Sequence, residues 1–392
     1  MRGVRVGVGL GRGVGAGAGA LRVRGRAAGG SGSGSGSGRM AGSSGGGSRR
    51  DASRASSSLA SAAGAGVKVA LQACGVAYGT LLAAAFVGQR RMMYFPDPSP
   101  PRDPVELGAP GCAQWEAVTR DGNRVQGWFW PARDRAGNDG DAPGAAGARL
   151  GATAVSSPEA ASSSSSSSSA AADRLTVLLL HGNAGNRAHR LGWMSLMLYH
   201  LKVNVCIVDY RGYGGSTGSP TEAGMRLDGM AAVEWLVSAG HVRDVRRDVV
   251  FWGESIGTAV AIAVAEEHAP LAFIHQAGMN SIAEVAQSHL PLVLPRLLLL
   301  DKWNSSARLR RLAKVWRARG ASIPSLSIHG TRDSIVPLRF GEALYESLPE
   351  PKRFYRIPGA DHNDIEMVGG ARYWEEIKAF LRDVKAQRPP KA

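Results

Sequence analysis

Length, composition and charge exclude several classes of protein. The chain has 392 residues, enough for one large domain, and a formal net charge of +15. Ten arginines and a single acidic residue lie in residues 1–60, so the rest of the chain is only mildly basic. We find no basic folded face interleaved with aromatic residues and therefore expect no nucleic-acid partner. The three cysteines are odd in number and lack metal-ligand spacing, so the sequence predicts no disulfide framework, no metal site and no cofactor.

Residues 1–66 are predicted to form a disordered tail. They consist largely of Gly, Ser, Ala and Arg, and such a composition buries too little apolar surface to offset its ordering entropy. The lack of acids before Asp51 also fits an organelle-targeting segment, but the glycine content disfavours the amphipathic helix that such segments form. We favour the plain tail.

Residues 67–88 are a candidate transmembrane or signal-anchor helix. The chain is uncharged over 69–88, which is about the length that a bilayer core requires. Its Ala, Gly and Gln residues contribute little transfer free energy, so a buried or interfacial helix is the alternative. Because no folded element precedes it to pack against, we predict a single-pass protein with membrane lipid as a partner. An endomembrane or the plasma membrane fits better than the mitochondrion.

The remaining chain is predicted to be a proline-rich linker at 89–110 followed by one domain at 111–388. Near the start of this domain, residues 114–119 and 124–130 flank Asp121-Gly122, a pairing typical of a β-hairpin. Residues 132–173 lose all periodicity in Gly, Ala and a run of serines, so we expect a disordered insertion there.

After residue 174, short apolar strands alternate with helical segments. This pattern predicts an α/β fold, with a mostly parallel sheet that is covered by helices on both faces and preceded by the antiparallel hairpin. The predicted strands are 175–180, 203–208, 249–252, 271–275, 325–328 and 353–357, and the predicted helices are 188–201, 221–239, 258–267, 338–348 and 373–386.

One of these strands runs into Gly-Glu-Ser-Ile-Gly at 253–257. In such a G-x-S-x-G elbow a serine sits at a sharp strand-to-helix turn, and the glycines are required because a Cβ would collide with a neighbouring element. Since an apolar helix follows, we predict that Ser255 is a nucleophile near the positive end of a helix dipole.

In an open α/β sheet the ligand lies at the carboxyl ends of the strands, so we expect the functional residues in the loops that follow the strands. The loop His-Gly-Asn-Ala-Gly-Asn at 181–186 would direct a backbone N–H of Asn183 or Ala184 at an oxyanion, with the N–H of Ile256 as the second donor. A glycine turn that begins a helix is the alternative. We expect His181 to pack the loop and not to act as a general base.

Two further strand ends carry Asp333 and His362. His362 would take the proton of Ser255 and return it to the leaving group, while Asp333 would hold the imidazole tautomer. Each residue taken separately also fits an ordinary surface loop, but the order Ser, Asp, His is the one this architecture uses. Asp209 and Arg211 follow another strand, and we interpret them as residues that fix a loop.

These motifs resemble the α/β-hydrolase superfamily and, within it, the bud-emergence-46-like group. The resemblance rests on residues 181–186, on Val-Asp-Tyr-Arg-Gly-Tyr-Gly at 208–214 and on His-Asn-Asp at 362–364. It implies an α/β-hydrolase fold and the roles of nucleophile, acid and base for Ser255, Asp333 and His362. Wider relatives that remove palmitate from cysteine suggest cleavage of an acyl thioester.

Two segments depart from the group's pattern, one at the elbow and one after the strand at 271–275. Glu254 replaces a basic residue before the nucleophile, and a carboxylate there would favour the protonated form of His362 and weaken it as a base. Thr258 replaces a glycine after the elbow. Gln-Ala-Gly at 276–278 replaces an acidic residue followed by Asn-Thr, so we expect a different pocket wall.

Only 48 residues separate Gln276 from Ser325, so we expect a small lid and an open site. Within that span, residues 290–300 are strongly apolar and would form an acyl-binding wall or touch a bilayer, with a helix packed on the sheet as the alternative. The sequence thus predicts a membrane-associated serine hydrolase acting on an acyl ester or thioester substrate. A serine peptidase and a non-catalytic membrane-tethered scaffold are the competing hypotheses.

Overall fold

The structure, a computed structural model, describes residues 48–132, 174–290 and 295–388. Residues 1–47 of the predicted tail, and all but the first residue of the predicted insertion at 132–173, lie outside these residues. By its internal contacts the chain divides into two units, Met1–Leu71 and Gln72–Ala392.

The first described element is the long helix α1 (Ser48–Met93). It begins inside the predicted disordered tail and ends inside the predicted linker, so residues 48–66 are helical where disorder was predicted. Alanine is the best helix former, and no proline interrupts the helix, which explains both extensions. Its portion Gly64–Met93 is long and apolar enough to cross a membrane, by length and composition.

Ten strands follow within the described residues, and eight of them form one sheet in the order β10-β9-β8-β7-β4-β6-β3-β2. The six strands from β10 to β6 run parallel, while β3 and β2 pair antiparallel at one edge. The predicted α/β fold with a mostly parallel sheet is confirmed. The strands are β1 (Phe95–Pro96), β2 (Ala113–Val118), β3 (Arg124–Trp130), β4 (Thr176–Leu180), β5 (Ala184–Gly185), β6 (Asn204–Asp209), β7 (Val249–Glu254), β8 (Ala272–Gln276), β9 (Ser325–Gly330) and β10 (Lys352–Ile357).

Helices cover both faces of this sheet. A 3₁₀ turn (Arg187–Arg190) precedes the first of them, and the helices are α2 (Leu191–Leu201), α3 (Glu222–Ser238), α4 (Val245–Asp248), α5 (Ile256–Val264), α6 (Ile282–His289), α7 (Pro295–Leu298), α8 (Ser305–Ala318), α9 (Leu338–Ser347) and α10 (Ile365–Ala386). Side chains of α3, α5 and α8 belong to one core cluster and those of α2 and α10 to another. Along β4, Leu178 and Leu180 join the first cluster whereas Val177 and Leu179 join the second, as the period of two in a strand requires.

Three segments differ from their predictions. The linker is not simply extended, because β1 pairs in parallel with β5 of the 181–186 loop. Helix α10 begins at Ile365 and not at residue 373, and Gly370 inside it has φ 53° and ψ −140°, which breaks the helical pattern. Of the apolar stretch 290–300, residues 291–294 lie outside the described part, and residues 295–298 form α7.

Candidate active site

The elbow around Ser255 joins β7 to α5. Ser255 has a backbone φ of 54°, a conformation that costs a residue with a side chain about 1–3 kcal/mol. Its N–H donates to the carbonyl oxygen of Gln276, the last residue of β8, at 2.8 Å. Tyr373 donates from its hydroxyl to Gln276 Oε1 at 2.7 Å. Gln276 therefore supports the elbow. None of residues 276–278 lines the cavity beside Ser255, although Met279, the next residue, does.

Two glycines allow the elbow to form. A Cβ at Gly253 would lie 2.3 Å from Thr258 Cα, and a Cβ at Gly257 would lie 1.8 Å from the carbonyl oxygen of Leu180. The atoms met are backbone atoms in a close-packed interior and have little room to move away. Thr258, where the group has glycine, turns its hydroxyl back to the carbonyl oxygen of Gly253 at 3.1 Å. The close approach predicted from the motif is present at both glycines.

Three of the predicted site residues meet at hydrogen-bond distance. His362 Nε2 lies 3.1 Å from Ser255 Oγ, and His362 Nδ1 lies 2.8 Å from Asp333 Oδ2. Because β7, β9 and β10 run parallel, the loops after them reach the same edge of the sheet. An ionised carboxylate only accepts hydrogen bonds, so Nδ1 carries the ring proton and Nε2 accepts the serine hydroxyl.

The carboxylate of Asp333 is buried and held from several sides. Its Oδ1 accepts the N–H groups of Ile335 at 3.0 Å and Val336 at 2.7 Å, and His329 Nε2 lies 3.3 Å from its Oδ2. Burial opposes ionisation, but the hydrogen bonds from His329, His362 and Val336 outweigh it and hold the pKa of Asp333 below its usual value. Asp333 is therefore charged and oriented at neutral pH.

The predicted oxyanion donors lie at two places beside Ser255. Ile256 begins α5, so its N–H has no acceptor within that helix. Asn183 lines the same cavity as Ser255 and Ile256. Its side chain donates to the carbonyl oxygen of Met93 at 2.8 Å, which leaves the backbone N–H as the candidate donor. Ala184 lies in β5 and does not line the cavity, so Asn183 is the better placed of the two alternatives.

The carboxylate of Glu254 binds the loop that carries these donors. Glu254 accepts the N–H of Gly182 at 3.0 Å and pairs with Arg190 through two hydrogen bonds of 3.1 Å. Arg190 also donates to the carbonyl oxygen of Ala184 at 2.8 Å. Burial opposes ionisation of Glu254, but the charge of Arg190 outweighs it and lowers its pKa. The negative charge that we expected to act on His362 is therefore offset by a cation at the site.

His181, the first residue of this loop, and Asp209 are both buried. Burial first, and then the charge of Arg190, lowers the pKa of His181 to about 3, so the ring is neutral at pH 7. The ring packs against the side chains of Tyr210 and Tyr213, with centroids 4.5 and 5.4 Å away. Asp209 forms a buried ion pair with Arg187. These contacts agree with a packing role for His181 and a structural role for Asp209.

An apolar cavity of about 460 Å³ opens beside Ser255, within the range of roughly 300–1,000 Å³ typical of small-molecule sites. Among the described residues that line it, none is Asp, Glu, Lys or Arg. Its walls include side chains of α1, of α6 and of the loops after α7 and β9. Representative lining residues are Phe86, Met93, Val285, Leu299 and Val336.

Two features of the site were missed from the sequence. His329 supports Asp333 from the end of β9, and α1 forms part of the cavity wall. A histidine directly after a predicted strand, in the same loop as Asp333, was a usable signal for the first. The place of α1 in the cavity wall depends on contacts between segments about two hundred residues apart, which no local sequence pattern predicts.

The α/β hydrolase family matches residues 177–387, more than half of the chain. The chain therefore belongs to the α/β hydrolase family. Among relatives, an uncharacterised protein of Mycobacterium tuberculosis is 33% identical over 295 residues, which are 75% of this chain and 88% of that protein. Protein bem46 of Schizosaccharomyces pombe is 34% identical over 226 residues, or 55% of this chain and 70% of that protein. The predicted place in the bud-emergence-46-like group is confirmed.

Two further comparisons concern the membrane and the fold. A Saccharomyces cerevisiae protein described as an uncharacterised membrane protein is 32% identical over 211 residues, covering 53% of this chain and 70% of that protein. Among solved structures, an esterase of Pyrococcus furiosus is similar with a TM-score of 0.50 and 18% identity, covering 74% of this chain and 98% of that chain. This last likeness shows a shared fold. Family membership and the geometry at Ser255 together support a hydrolase.

Proposed function

We propose that the protein is a membrane-associated serine hydrolase that cleaves acyl esters or thioesters through an acyl-enzyme on Ser255. The observation that carries the proposal is the chain of hydrogen bonds from Ser255 Oγ to His362 Nε2 at 3.1 Å and from His362 Nδ1 to Asp333 at 2.8 Å. A nucleophile within reach of a base, which is itself oriented by a third group, is the arrangement that activates a serine.

The proposed reaction has two halves. As Ser255 Oγ attacks the carbonyl carbon, His362 Nε2 takes its proton, and the N–H groups of Ile256 and Asn183 would stabilise the oxyanion. The tetrahedral adduct then expels an alcohol or thiol, which receives the proton from His362. Water attacks the acyl-enzyme, gives one proton to His362, and releases the carboxylic acid when that proton returns to Ser255 Oγ. Asp333 offsets the positive charge of the imidazolium in both halves.

The cavity supports an acyl substrate. A site without charged lining residues among those described favours an uncharged chain over a peptide, whose amino terminus would need an acidic partner. The competing peptidase hypothesis therefore receives no support from these residues. Membrane association is supported by the apolar portion Gly64–Met93 of α1 and by the yeast relative described as a membrane protein.

Labelling with a fluorophosphonate probe tests the proposal. We expect covalent labelling of the wild type and of Ser238→Ala, whose serine lies exposed at the end of α3. Ser255→Ala should not label, and His362→Ala should label far more slowly because its serine has lost the base. Absence of labelling in folded wild-type protein would instead favour the hypothesis of a non-catalytic membrane-tethered scaffold.

A further inference from the structure

The C-terminal end of α1 forms one wall of the cavity that opens beside Ser255. Phe86, Gln89, Met92 and Met93 all line the cavity together with Ser255. A helix that only attached the protein to a membrane would need no contact with the nucleophile's cavity. The last turns of α1 are therefore part of the site as well as part of the candidate membrane segment.

Hydrogen bonds hold the end of α1 against the last residue of α7 and the residues that follow it. Gln89 is buried, its Nε2 donates to the carbonyl oxygen of Leu298 at 3.3 Å, and its Oε1 accepts the N–H of Leu300 at 2.7 Å. Arg90 pairs with Asp301 at 2.8 Å. Because these bonds use both ends of the Gln89 amide, the wall has a defined position and is not a loose tether.

The same end of α1 also contacts the loop that carries the proposed oxyanion donor. Asn183 donates from its side chain to the carbonyl oxygen of Met93 at 2.8 Å, and its own carbonyl oxygen accepts the N–H of Phe95 at 3.0 Å. These two hydrogen bonds fix the end of α1 against the donor loop. A carbonyl group at Ser255 would thus have its attached chain directed along α1.

Another part of the cavity wall is apolar and comes from α6. Ile282, Val285 and Ala286 line the cavity there, and Leu298 and Leu299 line it as well. The volume of the cavity is about 460 Å³. Each methylene of a bound chain that is removed from water adds to the stability of the complex, so a cavity of this volume favours a long unbranched chain over a short one.

We propose that the cavity between α1 and α6 binds a long acyl chain, and that the end of α1 determines which chain lengths the enzyme hydrolyses. This inference rests on the proposed hydrolase function and names its substrate class. The carbonyl carbon lies at Ser255 and the chain extends past Met93 toward Phe86. The membrane segment is thereby a specificity element of the active site.

A matched pair of substitutions on α1 tests the inference. Ala85 lines the cavity, whereas Val87, two residues further on, is 86% exposed and does not line it. The full chain is placed in detergent micelles, and kcat/KM is measured for a series of thioesters from acetyl to palmitoyl. We expect Ala85→Trp to lower the ratio of kcat/KM for the palmitoyl thioester to that for the acetyl thioester by about tenfold or more, because the larger side chain fills part of the apolar site. Val87→Trp should leave the ratio unchanged.

The outcomes separate this inference from the function on which it rests. If hydrolysis depends on Ser255 but Ala85→Trp and Val87→Trp give the wild-type ratio, the role of α1 is wrong and the hydrolase proposal stands. If neither the thioesters nor the corresponding esters are hydrolysed in a Ser255-dependent way, the proposed function fails. Binding of a dansyl-labelled fatty acid then tests whether the cavity holds an acyl chain. The chain site would be supported if Ala85→Trp weakens binding of the fatty acid and Val87→Trp does not. It would be overturned if the wild type does not bind the fatty acid.

Should Ala85→Trp fail to fold, Ala85→Leu makes the same comparison with a smaller side chain.

Discussion

Glu254 and Arg190 form a two-bond ion pair, with both hydrogen bonds 3.1 Å long, directly beside the proposed nucleophile. Glu254 precedes Ser255 in the elbow, and Arg190 ends the 3₁₀ turn that follows the donor loop. The pair therefore joins the two segments that supply the proposed oxyanion donors. From the sequence we expected the carboxylate of Glu254 to weaken His362 as a base. In this arrangement Glu254 instead positions the donor loop.

Glu254→Gln is expected to lower kcat about tenfold with little change in KM, because it loosens the donor loop without touching the apolar cavity. The measurement is steady-state kinetics together with the rate of fluorophosphonate labelling. Glu342→Gln is the matched control, since Glu342 pairs with Arg356 at 2.9 Å on the exposed surface, where such pairs contribute little. A rise in KM with unchanged kcat would mean that Glu254 acts on substrate binding, contrary to this role.

Substitution of the two buried aspartates should separate catalysis from stability. Asp333→Asn is expected to lower kcat by about 10⁴-fold, because the amide no longer holds the His362 tautomer. Asp209→Asn should instead lower the free energy of unfolding by about 3–5 kcal/mol, because it leaves the buried Arg187 unpaired. Activity per folded molecule, with the folded fraction measured by circular dichroism, distinguishes the two effects. If folded Asp209→Asn lost kcat, the role of the aspartate that orients His362 would have to be assigned to Asp209 and not to Asp333.

The stability that Asp333 contributes should depend on pH in one direction. Its pKa is lower in the folded chain than its ordinary value of 3.8, so the unfolded chain binds the proton more readily as the pH falls. The stabilisation is fully present above pH 3.8 and is lost as the pH falls from there toward the folded pKa. Urea titrations should give a wild-type advantage over Asp333→Asn that is constant from about pH 5 to 7 and shrinks below about pH 4. An advantage that stays the same at all pH values would contradict this.

Gly253→Ala is expected to destabilise the fold by about 3 kcal/mol, because its Cβ would overlap the backbone of Thr258. Gly192→Ala in α2 is the matched control, since its Cβ would meet no atom within 4 Å. That substitution should be neutral or stabilising by up to about 1 kcal/mol, because alanine is the better helix former. Thermal unfolding of both variants makes the comparison. Equal melting temperatures would show that the elbow can relax around a methyl group.

The parts of the site that follow strands were predictable, and the parts that depend on distant packing were not. Ser255 directly follows β7, whereas Asp333 and His362 lie in the loops that follow β9 and β10. Parallel strands bring such positions to one edge of the sheet. By contrast, the contact of Gln89 with Leu298 joins residues 209 positions apart. Neither residue carries a local pattern that reports the other.

Element boundaries show the same division between local and distant causes. The elbow and the strands around it have short apolar runs with clear limits. Helix α1 extends to Met93 through Gln89 and Arg90, polar residues whose partners are Leu300 and Asp301. The proline-rich linker was predicted to begin at Gln89, but tertiary contacts satisfy these side chains and the helix continues to Met93.

The hydrogen bond from Asn183 to the carbonyl oxygen of Met93 has a practical consequence for preparing the protein. Removal of residues 1–94 is the obvious way to obtain a fragment free of the apolar helix. Such a fragment would keep Ser255, Asp333 and His362 but lose one side of its substrate cavity and a bond that holds the donor loop. Measurements of chain-length preference on that fragment would describe a different, more open site. The helix must remain with the domain for its specificity to be measured.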